Sequence, residues 1–169
     1  MQLLIVRHAI ALSRETFSAT GKDDDLRPLT QDGRRKMRRI AKGLQSLAGH
    51  PDVLAASPLT RAQETGQILA EVYGMKLGAP VEALRPEAHF TMFATWTREL
   101  DDEATLIAVV GHDPHLSGLV TWLMSGNTEP TVTLKKGGAC LLKFDGRVRR
   151  SGPVMDWLLT PSQLRQLGD

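Results

Sequence analysis

The sequence predicts one α/β domain spanning residues 1–169, a three-layer α/β/α sandwich with a mostly parallel sheet. Three observations predict it. Short apolar runs alternate with longer stretches whose apolar residues recur at helical spacing. Proline, glycine and capping residues fall at the joints between them. The stretches joining the first apolar runs are long enough for helical crossovers, which parallel strands require.

Residues 2–7 form a short apolar run bounded by polar residues, hence a buried strand. Residues 9–28 read as a loop, with Gly21, the acidic run Asp23–Asp25 and Pro28. LTQDGRRKMRRIAKGLQSL reads as a helix capped by Thr30, with Met37, Ile40, Ala41, Leu44 and Leu47 on one face. DVLAAS, from Asp52, is a second strand. Ser57-Pro58 reads as the start of a helix that carries Ala62, Leu69 and Val72 and ends at Gly74. A further helix is expected over 88–100, with Phe90, Phe93, Thr97 and Leu100 on one stripe and Trp96 at the core edge. TLIAVV (Thr105–Val110) is the clearest buried strand. Asp113-Pro114 opens a helix with Leu116, Leu119, Val120 and Leu123, closed by Gly126. TVTL, ACLLKF and PVMDWLL then read as short strands separated by Lys-Gly-Gly and Asp-Gly turns, and Pro161-Ser162 as a terminal helix start.

Composition narrows the function classes. Hydrophobic residues at 41% and charged residues at 24% fit an ordinary globular protein. A net charge of +2 suits an anionic ligand but not a nucleic-acid coat. The single cysteine, Cys140, excludes an internal disulfide and reads as a buried small hydrophobe. No apolar stretch is long enough for a membrane span. The N-terminal run, broken by Arg7 and without a basic leader, is not read as a signal peptide. A cytoplasmic location is the expectation, with no membrane partner and no nucleic acid.

Three strands are expected to end in reactive groups: Arg7-His8, then Ser57 with Arg61 following in the next helix, then Gly111-His112. Ligands of parallel sheets bind beyond the carboxyl ends of the strands. If these strands are neighbours, two histidines and two arginines converge. Arginines match phosphate oxygens bidentately. A neutral imidazole held through one nitrogen is a nucleophile through the other. The expected reaction is phosphoryl transfer to His8 followed by hydrolysis, with no metal and no cofactor. A zinc site from His8, His112 and His115 is disfavoured, because two arginines in the same crevice repel a cation.

RHAIA after the first strand, RPLTQDG opening a helix, ASPLTRAQET and VVGHDPHLS together resemble the histidine phosphatase superfamily, in its compact SixA-type phosphohistidine phosphatase form. The resemblance implies a phosphoglycerate-mutase-like fold. It implies that His8 is the phosphorylated nucleophile, that Arg7 and Arg61 hold phosphate, and that His112 completes the pocket. Ala9 stands where the superfamily pattern has glycine, and is accommodated if the turn needs no positive φ. Glu87, in VEALRPEAHF, is the candidate proton donor, with Glu82 and His89 behind it. Arg27, before Pro28, is a candidate substrate contact or a partner of Asp23–Asp25. His115 reads as a surface or structural residue, and RRKMRR with Lys42 as a solvated basic face whose functional alternative is docking of an acidic partner. The expected substrate is phosphohistidine on a protein. Small phosphate esters or polyphosphate are the alternative, as is a non-catalytic phosphate- or phosphoprotein-binding module.

Overall fold

Four consecutive apolar residues at the start of the chain can all be buried only in a strand covered on both faces. A computed structural model, which describes residues 1–168, shows that arrangement. In β1 (Gln2–Arg7), Leu3, Leu4, Ile5 and Val6 are completely buried. Alternate side chains leave a strand on opposite faces, so Leu4 and Val6 join one core while Leu3 and Ile5 join the other.

β1 is the middle strand of a five-stranded sheet, ordered β2-β3-β1-β4-β5. β2 (Val53–Ala56) and β3 (Leu106–Gly111) run parallel to each other and to β1. One face is covered by α2 (Gln31–Ala48), α3 (Thr60–Tyr73) and the terminal α6 (Pro161–Leu167). The other is covered by α4 (Phe90–Arg98) and α5 (His115–Ser125). The three-layer α/β expectation therefore stands.

The sheet is mixed rather than mostly parallel. β4 (Ala139–Phe144) pairs antiparallel with β1, and β5 (Pro153–Leu159) antiparallel with β4. The reason lies in the connections. Residues 145–152 hold no helix and make a hairpin, which can only join antiparallel strands. The TVTL segment is not a strand either. It runs back along α5, where Thr131 N donates to Thr121 Oγ1 (2.9 Å) and Leu134 N to Ser117 Oγ (3.3 Å). Side chains of α5 thus satisfy the polar backbone that a neighbouring strand would otherwise satisfy.

Other joints differ in detail. The 9–28 loop contains a short helix, α1 (Arg14–Ser18), capped by Ser13, and a 3-10 turn over Asp24–Leu26. α3 begins at Thr60, after Leu59, rather than at Ser57-Pro58. Leu47 of α2 is exposed, beyond the buried stripe of Met37, Ile40, Ala41 and Leu44. Thr30 caps α2 as expected, its hydroxyl accepting from Gly33 N at 2.9 Å, and Gly74 and Gly126 close α3 and α5 in the left-handed conformation. No helix among the described residues is long and apolar enough to cross a membrane.

α6 lies directly against α2. A Cβ on Gly43 of α2 would sit 2.1 Å from the Leu164 carbonyl oxygen, which is backbone and cannot swing aside. Gly43→Ala should therefore destabilise the fold by about 1–3 kcal/mol, an overpacking cost, despite alanine's better helix propensity. Urea unfolding checks this, with a lower midpoint expected.

Candidate active site

Strand register brings the reactive groups level. Arg7 lies opposite Gly111 and Ala56 opposite Val110. Just past the last paired residues, His8 N donates to Gly111 O (3.0 Å) and Ser57 N to Val110 O (2.9 Å). His8, Ser57 and His112 therefore leave the sheet side by side. His8, Arg7, Arg61, Arg27 and His112 all line one cavity of about 470 Å³ at the carboxyl ends of the three parallel strands.

The His8 ring is tied through Nδ1, 2.7 Å from the Ala9 carbonyl oxygen. A carbonyl only accepts, so Nδ1 carries the proton and Nε2 keeps its lone pair. The ring is 5% exposed, with its centroid 5.2 Å from that of His112. His112 Nε2 is 2.8 Å from Ser57 Oγ. With the serine hydroxyl donating to Nε2, Nδ1–H of His112 is left as a donor. Arg7 Nη1 donates to Leu134 O (2.6 Å), and Arg61 Nη1 to Asp24 O (3.0 Å). His112 Nδ1, Arg7 Nε and Arg61 Nε are buried and have no partner within the protein. Each such donor costs about 1–3 kcal/mol if left unpaired, and all three belong to residues that line the one cavity.

Residues 3–101 match the histidine phosphatase superfamily, branch 1. The chain belongs to that superfamily. An uncharacterised protein of Picosynechococcus sp. is 32% identical over 140 residues, 82% of either chain. The phosphohistidine phosphatase SixA of Escherichia coli is 25% identical over 167 residues, 98% of this chain and 97% of that one. A structure of the protein histidine phosphatase SixA complexed with tungstate has the same fold, with a TM-score of 0.80 at 23% identity, covering 97% of this chain and 99% of the other. The chain is thus SixA-like along its length, and its mixed sheet is phosphoglycerate-mutase-like.

Within the superfamily frame, Ala9 replaces glycine without backbone strain. Ser151 is the only non-glycine residue with positive φ among the described residues. Ala9 N donates to Thr65 Oγ1 (3.1 Å), whose hydroxyl donates to Arg61 O (2.7 Å), so the turn after His8 is tied to the helix that carries Arg61. Arg27 pairs with the acidic run, as one of its two expected roles, and its place in the cavity wall leaves the other open. It lines the cavity and binds Asp24, with Nε 2.7 Å from Oδ1, while its Nη1 donates to Leu12 O.

Glu87 is not brought into the cavity wall. Its neighbour Pro86 lines the cavity, whereas the Glu87 side chain is 68% exposed and lies 3.7 Å from Arg85. Glu82 also binds Arg85. The one carboxylate lining the cavity among the described residues is Asp113, 3.8 Å from Arg7 and accepting from Ser117 Oγ at 2.5 Å. His115 is buried beside Phe90, a structural residue rather than a wall of the cavity.

Sequence reasoning placed Ser57 but not its role, and missed three other contributors. Ser57 orients His112 rather than capping α3. Thr65 links the His8 turn to Arg61. Arg14 and Lys136 stand on the rim. Ser57 was visible as a strand-end hydroxyl, but Lys136 reaches the site only through the antiparallel return of β4. The largest hollow, about 580 Å³ between α4 and edge strand β2, is lined by groups such as Val53, Ala55, Met92 and Trp96 and lacks any cluster of cations. Converging charge, not size, marks the site.

Both histidines are held neutral. Burial drives His8 down to about 3, and the charges of Arg61, Arg7 and Lys136 push the same way. Burial, then His8 and Arg61, drives His112 down to about 2. An unfolded histidine titrates near 6.5, so below that pH the unfolded chain takes up protons that the folded site refuses. Stability should fall on acidification from about pH 6.5 toward 3, with each histidine steepening the loss by up to about 1.4 kcal/mol per pH unit. Comparing urea midpoints at pH 5 and 7.5 for wild type and a His8→Asn/His112→Asn double variant checks this, the variant losing less.

Proposed function

We propose that this chain is a metal-independent phosphatase that works through a phosphohistidine on His8 and hydrolyses phosphohistidine on a protein substrate. The observation that carries the phosphatase reading is the neutral His8, anchored through Nδ1, in a cavity also lined by Arg7, Arg61 and His112. SixA complexed with tungstate, a tetrahedral oxyanion like phosphate, supports it.

In the first step the Nε2 lone pair of His8 attacks phosphorus, and the bond from phosphorus to the leaving atom breaks. Arg7, Arg61 and the Nδ1–H of His112 point donors at the equatorial oxygens, where charge accumulates. In the second step water attacks phosphohistidine-8, the N–P bond returns its electrons to Nε2, and inorganic phosphate departs with the water's oxygen. The buried cations meet the need for positive charge in both steps.

The leaving group is the finer point. An alkoxide needs a proton from a nearby acid. Asp113 is committed to Arg7 and Ser117, and Glu87 points away. A phosphoramidate nitrogen can take its proton from solvent before the bond breaks, so this wall suits an N–P substrate better than an ester.

Three outcomes are expected. With EDTA present, wild type should release phosphate from a phosphohistidine protein faster than from p-nitrophenyl phosphate, and His8→Ala should release none. A labelled phosphoryl group trapped on the wild type should be acid-labile and absent from His8→Ala. Phosphate binding without turnover would instead identify a binding module. Ser57→Ala should lower kcat by about 10- to 100-fold with little change in KM, since it frees His112 from the orientation that places its donor.

A further inference from the structure

The catalytic cavity shares a lining residue with each of two neighbouring hollows. Arg14 belongs both to the cavity and to a hollow of about 410 Å³ that carries Lys22. Lys136 belongs both to the cavity and to a small hollow of about 60 Å³ that carries Lys36 and Arg165. The two hollows have no lining residue in common. A cationic band therefore flanks the cavity in two separate groups, Arg14 with Lys22 and Lys136 with Lys36 and Arg165.

The carboxylates near the mouth are committed elsewhere. Asp24 is bound by Arg27 and Arg61, Asp25 by Arg85, and Asp113 by Arg7. Lys36 is paired with Asp32 at 2.6 Å. Arg14, Lys22, Lys136 and Arg165 make no ion pair among the described residues. Glu15 and Asp23 follow Arg14 and Lys22 in the chain, yet neither lines either hollow; the one carboxylate that does, Asp24 beside Lys22, is the one held by Arg27 and Arg61.

We infer that this band is a docking surface for an acidic protein segment that carries the phosphorylated side chain in its middle. The inference rests on the phosphatase reading for its catalytic readout. His8 is buried, so the phosphoryl group must arrive on a protruding side chain. A segment with such a side chain at its centre extends away from the cavity in both directions and meets both sets of cations at once. A linear polyphosphate that enters by its end trails away in one direction only, so it does not meet both groups. Exposed charge pairs of this kind contribute mainly to encounter rate and register.

The test uses the full chain and short peptides with a central phosphohistidine, flanked by Asp/Glu or by Asn/Gln on both sides. Lys22→Glu and Arg165→Glu, both outside the catalytic cavity, are the variants. Wild type should favour the acidic-flanked peptide in kcat/KM, and the preference should fade as salt is raised. Each variant should lower kcat/KM on that peptide by roughly fivefold while leaving p-nitrophenyl phosphate hydrolysis unchanged. Fluorescence anisotropy with the unphosphorylated acidic peptide should show the same weakening. Indifference to the flanks, equal rates in variants and wild type, or weakening confined to polyphosphate hydrolysis would overturn the docking surface. If wild type releases phosphate from no substrate, the phosphatase reading fails, and anisotropy alone still decides the docking surface.

Discussion

The level ending of three parallel strands is the constraint on which the site depends. β3 lies between β1 and β2, and its Val110 and Gly111 carbonyls take the amides of Ser57 and His8. A slip of one residue in either pairing would turn side chains to the opposite face. It would separate His8 from His112 and leave Ser57 unable to reach His112 Nε2. Because β1 is buried on both faces, its apolar residues enforce that register from above and below. Core packing and catalytic geometry are thus one specification.

Much of this was legible in the chain. Continuous apolar runs with helical stretches between them identify buried parallel strands, and the residues at their ends identify the cavity. His8, Arg7, Arg61 and His112 meet there because the strand ends meet. What was not legible follows from interactions that local pattern does not encode. TVTL has strand composition, yet its backbone bonds to Thr121 and Ser117 on α5, a tertiary competition that propensity cannot show. The direction of β4 depends on where that segment delivers the chain. Glu87 has the right chemistry in a plausible place, but its neighbour Arg85 draws the acidic groups outward, binding Asp25 and Glu82 and lying near Glu87.

The cavity is costly to fold. It gathers Arg7, Arg27, Arg61 and two imidazoles under low exposure, and the solution is uneven. Some donors are satisfied by backbone carbonyls of Leu12, Asp24 and Leu134, which adds no negative charge. Asp24, its carboxyl held below the usual range chiefly by the Arg27 hydrogen bond, offsets part of the repulsion between Arg27 and Arg61. The imidazoles stay neutral. The remaining donors keep their full strength for an incoming anion, the local frustration expected where function competes with folding.

The antiparallel return of β4 bears on how the molecule comes into being. Leu134, which receives Arg7, and Gly137, whose amide is 3.1 Å from the carbonyls of both Arg7 and His8, lie some 130 positions downstream of the first strand. The amino terminus itself reaches Phe144 O. A chain emerging from the ribosome therefore carries His8 long before it can enclose it, because residues 134–144 are made much later. Such long-range closure is slow relative to the helices that form beforehand. The order of synthesis itself delays an enclosed cavity until the fold that restrains it is complete.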